Sequence, residues 1–289
     1  MRLIRAPLEV FRLGRGWRRR GIDAAFVPTM GGLHEGHLAL MRRARRLAPR
    51  VVVSVFVNPL QFGPGEDLAR YPRSAARDRR LAAAAGVDVF YAPSVPDVYP
   101  PDHETRIEVP RLASQLCGAY RPGHFTGVVT VVLKLLHQVG PRYLVMGQKD
   151  AQQALVIRRM LRDLDLERWV ALRVYPTVRE RDGLAMSSRN RYLTPAERRQ
   201  APVLYRALRA AVERIAAGER RTAVLARRIH AVLRQAPLVR PQYVRLVDTV
   251  HLLQHDRIPR EVLIAVAAHL GRARLIDNVI VRLDRGRGA

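Results

Sequence analysis

Short apolar runs alternate with longer amphipathic segments through residues 1–176, and this alternation limits the fold of the chain more than any other feature. Apolar runs of strand length fall at 24–28, 51–57, 87–91, 143–147 and 171–175. Between them, 36–47, 69–85, 126–139 and 151–164 carry apolar residues every three to four positions, the spacing that lines one face of a helix. Strands joined by helical crossovers close into a parallel sheet with helices on both faces, so a doubly wound α/β domain is predicted for 1–176. Ligands of such sheets bind beyond the carboxyl ends of the strands, where loops and helix N-termini meet.

After residue 176 the pattern changes. A polar segment, 178–190, leads to helical patterns around 195–217 and 222–234, and apolar segments at 243–247, 262–269 and 274–281 predict a small antiparallel sheet. The second domain, 177–289, is therefore expected to be a smaller α+β unit. No internal repeat is evident.

A formal net charge of +26 would ordinarily point to nucleic acid or an anionic membrane as partner. The arginines are dispersed, however, as at Arg42, Arg43, Arg45, Arg46, Arg227 and Arg228, and an aromatic content of 6% provides few stacking platforms for bases. This is a global arginine bias, and neither a specific nucleic-acid partner nor a membrane partner is expected. The single cysteine, Cys117, excludes an intrachain disulfide and a cysteine metal cluster, and fits a reducing cytoplasm. Residues 1–10 carry two arginines and no apolar signal core, so an unexported protein is expected. Only Lys134 and Lys149 escape the arginine bias. An ammonium is a compact point charge that fits between phosphate oxygens where a planar guanidinium does not, which draws attention to Lys149.

The run Val27-Pro28-Thr29-Met30-Gly31-Gly32-Leu33-His34-Glu35-Gly36-His37 leaves the first of these strands, turns through glycines and enters a helix. Glycines allow a ligand to approach the backbone, and a helix N-terminus is expected to offer free N–H groups to phosphate. His34 and His37, three apart, share a face if both lie on the first helical turn, and two imidazoles there can stabilise charge as pyrophosphate leaves. Taken without that context, the same pair reads as a capped helix. A zinc site lacks a third close ligand beyond Glu35.

At the end of the next strand, Asn58 and Gln61 flank Pro59; their neutral amides both donate and accept, which suits a substrate bearing hydroxyls and a carboxylate. The stretch 121–127 opens a helix, and the strand after it ends in Gly147-Gln148-Lys149-Asp150. Lys149 is thus placed for phosphate or carboxylate contact. Asp150 can cap the following helix, bind ribose hydroxyls or help hold a magnesium ion, and Gln153 lies on that helix's first turn. The last motif, Asp182-Gly183-Leu184-Ala185-Met186-Ser187-Ser188-Arg189-Asn190, places two hydroxyls and an arginine on a glycine-flanked loop able to grip phosphates.

In this order, these motifs resemble the pantothenate synthetase family from Pro28 to the segment Arg274-Leu275-Ile276-Asp277-Asn278. The resemblance implies a Rossmann-like domain of the nucleotidyltransferase type with a C-terminal lid domain, ATP and Mg²⁺, and ligation of pantoate to β-alanine through an acyl adenylate. It also implies a cytoplasmic homodimer. It assigns Met30, Gly31, Gly32, Leu33, His34, Glu35, Gly36, His37, Gly147, Gln148, Lys149, Asp150, Val178, Met186, Ser187, Ser188 and Arg189 to the ATP site. His37 is the donor toward the phosphates, with His34 and Lys149 beside it in the chemistry. Gln61 and Gln153 hold pantoate, Gln61 also reaches β-alanine, and Asn58 supports the phosphate or metal region; no protein metal ligand is assigned.

Three positions depart from the family pattern: Ala151 replaces the usual aromatic after Lys-Asp, Gln148 the usual Glu, and Cys117 the usual Glu before Gly118. None removes a residue assigned to the catalytic step, but looser packing is expected around Ala151. Another adenylate-forming nucleotidyltransferase would share the 34–37 region without needing Asn58, Gln61 and Gln153 together.

Overall fold

The structure is a computed structural model, and it describes residues 1–69, 71 and 74–283. The chain divides into two compact units, 1–114 with 118–176 and 115–117 with 177–289.

In the first unit the elements run β1 (Arg2–Ile4), α1 (Pro7–Arg19), β2 (Ala24–Thr29), α2 (Glu35–Leu47), β3 (Arg50–Val55), α3 (Ala75–Ala84), β4 (Val89–Tyr91), α4 (Val95–Val98), α5 (Pro110–Ala113), α6 (His124–Val139), β5 (Tyr143–Gly147), α7 (Ala151–Asp163) and β6 (Ala171–Tyr175). The six strands form one sheet in the order β1-β4-β3-β2-β5-β6, and every neighbouring pair is parallel. Covered on both faces, the central strands are apolar without alternation: Ala25, Phe26 and Val27 of β2 and Val51, Val52 and Val53 of β3 are all buried.

The order of strands reverses at β2, since β3 and β4 follow on one side and β5 and β6 on the other. This is the switch point at which a crevice opens. The β2–β5 ladder pairs only Ala25 with Tyr143 and Phe26 with Leu144. Pro28, two residues on, has no N–H with which to extend it, so β2 and β5 part before their carboxyl ends.

The second unit contains α8 (Pro195–Gln200), α9 (Val203–Ala216), α10 (Thr222–Leu233) and an antiparallel sheet of β7 (Val239–Asp248), β8 (Glu261–Leu270) and β9 (Ala273–Arg282) in that order. Leu204, Leu208 and Ala211 of α9 and Leu225 and Ile229 of α10 pack with Val262, Ile264 and Val266 of β8 in its core. Among the described residues no helix is long and apolar enough to cross a membrane.

Several boundaries differ from the sequence reading. β1 and α1 precede the first expected strand. The helix expected over 69–85 is confined to Ala75–Ala84, with Ser74 at its N-cap; residues 70, 72 and 73 of the expected span lie outside the described ones. The strand expected to reach 57 stops at Val55, where the chain leaves the sheet for the Asn58-Pro59 turn. The helical stretch 195–217 is two helices, parted at Ala201 and Pro202.

Candidate active site

The glycine turn sits at the switch point. Thr29 ends β2, and its hydroxyl donates to the Ser54 carbonyl of β3 at 2.7 Å while accepting from the Gly31 N–H at 3.2 Å. Gly31 and Gly32 then take φ of 86° and 63°, left-handed values that glycine adopts without steric cost. The Gly32 and Leu33 N–H groups turn inward and donate to the two carboxylate oxygens of Asp78, at 2.8 and 2.9 Å. Asp78 projects from α3 and is only 1% exposed.

His34 is the N-cap of α2. Its Nδ1 accepts from the Gly36 N–H at 3.2 Å, and its own N–H donates to His37 Nδ1 at 3.4 Å, a capping box built from two imidazoles whose ring centroids are 4.0 Å apart. The arrangement revises the expectation of free N–H groups. Those of Gly31, Gly32, Leu33, His34 and Gly36 all have acceptors within the protein, so the turn presents side chains, rather than a cradle of backbone donors, to an anion. With Nδ1 of His37 accepting, the neutral ring carries its proton on Nε2. Burial, helped by the charge of Lys149, lowers the His37 pKa to about 4, so the ring is neutral near pH 7 and Nε2–H is its donor.

Asn58 and Gln61 bracket a short 3₁₀ turn, Pro59–Gln61, at the carboxyl end of β3. The Asn58 amide is fully engaged by the protein: Nδ2 donates to the Gly127 carbonyl at 2.9 Å and to Gln61 Oε1 at 3.2 Å, and Oδ1 accepts from Tyr99 and from the Leu60 N–H. Asn58 therefore orients Gln61. The Gln61 Nε2 lies 2.7 Å from the sulfur of Met30, which brings the amide beside the glycine turn. The other end of the turn is held by Arg121, whose guanidinium grips Glu66 with two bonds of 2.6 Å and donates to the Gln61 carbonyl at 3.2 Å. His124 Nδ1 donates to the same carbonyl at 2.7 Å and its Nε2 accepts from Arg121 at 3.0 Å. Desolvation and the adjacent guanidinium lower the His124 pKa to about 4, which keeps this ring neutral too.

Gly147 ends β5, and Gln148, Lys149 and Asp150 form the 3₁₀ turn that leads into α7. The proximity of Lys149 to His37 joins the loops after β2 and β5. Asp150 stands at the N-cap of α7, but its carboxylate makes no capping bond. On the first turn of that helix Gln153 is half-buried, whereas the adjacent Gln152 is buried and donates to the Leu112 carbonyl at 2.9 Å, a structural task. Ala151, at the start of the helix, is 6% exposed.

The loop 178–190 belongs to the second unit. The Met186 N–H donates to the Val178 carbonyl, Arg179 bridges to Ala185, and Ser187 caps the 3₁₀ turn Ser188–Tyr192 by accepting from the Arg189 N–H at 3.3 Å. Arg179 anchors the loop: its guanidinium makes paired bonds of 2.6 and 2.9 Å to Asp277, donates to the Gly183 carbonyl and stacks over the Tyr205 ring at 3.7 Å. Cys117, in the same unit, has its sulfur 3.1 Å from the Tyr243 hydroxyl and 3.3 Å from Arg274.

Sequence reasoning missed Asp78, the Glu66–Arg121–His124 cluster and the Arg179–Asp277 pair. For Asp78 the available signal was the one acidic residue in a helix otherwise built of Ala, Arg and a single Leu.

A model of the pantoate-beta-alanine ligase family matches residues 2–280. Pantothenate synthetase of Heliobacterium modesticaldum is 53% identical over 283 residues, covering 98% of this chain and 100% of that protein. The crystal structure of pantothenate synthetase from Thermus thermophilus superposes with a TM-score of 0.89 at 47% identity, covering 96% of this chain and 99% of that one. Pantoate-beta-alanine ligase from Francisella tularensis, solved in complex with beta-gamma ATP and beta-alanine, is 32% identical with a TM-score of 0.78 and covers 97% of each chain.

Proposed function

Because the chain belongs to the pantoate–β-alanine ligase family and is an enzyme that condenses those two substrates at the expense of ATP, we propose that it does so through a pantoyl adenylate formed at the β2/β5 switch point. The pantoate carboxylate attacks the α-phosphate of ATP, pyrophosphate departs, and the β-alanine amine then attacks the acyl carbon and displaces AMP. No covalent nucleophile of the protein is required, so its contribution is alignment and charge stabilisation.

The observation that carries this reading is the capping box of His34 and His37 at the carboxyl end of β2, which sets the His37 tautomer, with the charge of Lys149 acting on the same ring. Nε2–H of His37 donates to phosphate oxygens that gain charge as the bond to pyrophosphate breaks, and Lys149 supplies the fixed positive charge. His34 holds the tautomer of His37 through its backbone N–H. Gln61 and Gln153 read pantoate, Gln61 extends to β-alanine, and Asn58 acts on both through its hold on Gln61. Met30 to Leu33, Glu35 and Gly36 complete the nucleotide side of the turn, with Gly147, Gln148 and Asp150 opposite. The assignment of Val178, Met186, Ser187, Ser188 and Arg189 to the nucleotide, the lid role of 177–289, a cytoplasmic setting and a homodimer enter the proposal from the family resemblance.

Mg²⁺ would arrive with the nucleotide. Among the described residues no group of three His, Cys, Asp or Glu side chains could hold a metal ion, and magnesium commonly binds through substrate phosphates and water with few protein ligands. Bound there, it would supply charge neutralisation on the triphosphate, with Asp150 the residue nearest in sequence to Lys149 that could contact it.

Pantoate labelled with ¹⁸O in its carboxylate tests the proposal. A pantoate-dependent burst of pyrophosphate before β-alanine is added, followed by AMP carrying one labelled oxygen, is expected. Release of ADP and phosphate, or pyrophosphate only when both substrates are present, would reject the adenylate route. His37→Ala should slow the burst by about 10²-fold or more, the scale of losing one transition-state donor.

A further inference from the structure

We propose that Asp78, on a helix 46 residues from the glycine turn in sequence, is a positioning residue for adenylate formation, because its buried carboxylate fixes the peptide groups from which the two histidines are hung. The inference rests on the reading of His37 as the phosphate donor.

A carboxylate that is 1% exposed loses most of its hydration, and it is retained only where donors replace the lost water. Here both oxygens are engaged, Oδ2 by the Gly32 N–H at 2.8 Å and Oδ1 by the Leu33 N–H at 2.9 Å. The fit is specific to an acceptor-only group: an amide would set an N–H₂ against one of two N–H donors. The turn is also fixed from its other side by the Thr29 hydroxyl, and a Cβ on Gly31 would lie 3.0 Å from Val55 Cγ1 and 3.1 Å from Asp78 Oδ2. Immediately after Leu33 comes the His34 N–H, which donates to His37 Nδ1. Asp78 thus fixes two successive peptides, the next peptide fixes the tautomer of His37, and that tautomer aims Nε2–H. The same bonds withdraw two backbone donors from any phosphate, which leaves anion binding to imidazole and ammonium groups whose aim depends on the turn.

Asp78→Asn tests this in the full chain, with Ala83→Gly, at an exposed position of the same helix, as a control that weakens α3 away from the turn. The expected result is a folded Asp78→Asn protein whose single-turnover pyrophosphate release at saturating ATP and pantoate falls by about 10²-fold, the scale of an ångström-sized misplacement. KM for β-alanine should stay within about twofold, and ¹⁵N NMR should show the His37 ring passing from Nε2–H to a mixture of tautomers, which loss of stability alone would not produce. A wild-type rate in folded Asp78→Asn would overturn the proposal, as would an equal fall in Ala83→Gly at matched loss of stability. If Asp78→Asn does not fold, Gly31→Ala displaces the same turn and should show the same rate loss and tautomer mixture; a wild-type rate there overturns the proposal equally. Wild-type enzyme that gives no pantoate-dependent pyrophosphate would instead unseat the adenylate route.

Discussion

Replacing Gly127 by alanine should damage the pantoate side of the site through one methyl group. Gly127 lies in the first turn of α6, against the turn that carries Gln61. A Cβ built there would be 2.3 Å from the Leu60 carbonyl oxygen, 2.4 Å from its carbon and 2.7 Å from the Gln61 nitrogen. Side-chain carbons come no closer than about 3.0 Å, and the atoms in the way are backbone, so the turn must retreat by something near an ångström. Overpacking of this kind costs about 1–3 kcal/mol, and stretching the buried bond from Asn58 Nδ2 to the Gly127 carbonyl adds roughly 1 kcal/mol. Alanine returns up to about 1 kcal/mol through its better helix propensity. A net loss of roughly 1–3 kcal/mol lowers Tm by about 3–10 °C in a unit of this size. Thermal unfolding followed by circular dichroism, with KM for pantoate and for ATP measured below the transition, checks both consequences. Pantoate KM should rise by about tenfold or more with ATP KM little changed, since Gln61 moves and the glycine turn does not. A Tm within about 2 °C of wild type would refute the steric reasoning; a lowered Tm with unchanged pantoate KM would remove Gln61 from pantoate recognition.

Lys149→Arg preserves charge but not shape, and single-turnover adenylate formation should fall by about tenfold or more, with Lys149→Ala lower still; full activity in the arginine variant would leave charge as the only requirement. Acid should weaken the fold before the carboxylates titrate. His37 and His124 have folded pKa values of about 4 against 6.5 in the unfolded chain, so the unfolded state binds the extra protons, and the stability they contribute is complete above pH 6.5 and lost as pH falls toward 4. Both rings keep part of their surface in solvent, which reduces the effect to about 1–2 kcal/mol each. Urea unfolding at pH 7 and pH 4.5 should show the drop, His124→Gln should remove its share, and a flat profile would contradict the neutral assignment of both rings.

The order of elements and the positions of the loops were legible because parallel strands covered on both faces must be apolar without alternation, as 51–53 are, and because glycine and proline punctuate the turns at 28–32 and 58–59. The candidate residues were legible where their chemistry is local: a histidine pair at a helix start, an amide pair about a proline, a lysine in a chain of arginines. What escaped is what acts at a distance. Asp78 reaches Gly32 and Leu33 from another helix, Arg121 reaches Glu66 across 55 positions, and Arg179 meets Asp277 across 98. Each is an ordinary charged residue until the fold supplies its partner, and no spacing rule marks it. The Asn58 amide shows the converse, since its type and place suggested contact with ligand and the fold occupies it with Gly127, Tyr99 and Gln61.

A turn that spends its own N–H groups on Asp78, Thr29 and the two imidazoles gives up the usual means by which glycine loops hold phosphate. In the proposed site donation comes from side chains, which lose rotamer entropy on ordering unless they are held beforehand. The capping box holds them: His34 and His37 are constrained by the same bonds that begin α2, so the helix start and the proposed phosphate donors form together. Lys149 arrives from β5, the strand across the switch point, and its charge disfavours a second proton on His37. A protonated ring would place two cations side by side and surrender the Nδ1 acceptor that ties it to His34. Keeping the ring neutral therefore serves the helix cap and the aim of Nε2–H at once, and it accounts for the burial of a basic side chain beside a cation in a protein that carries a formal charge of +26.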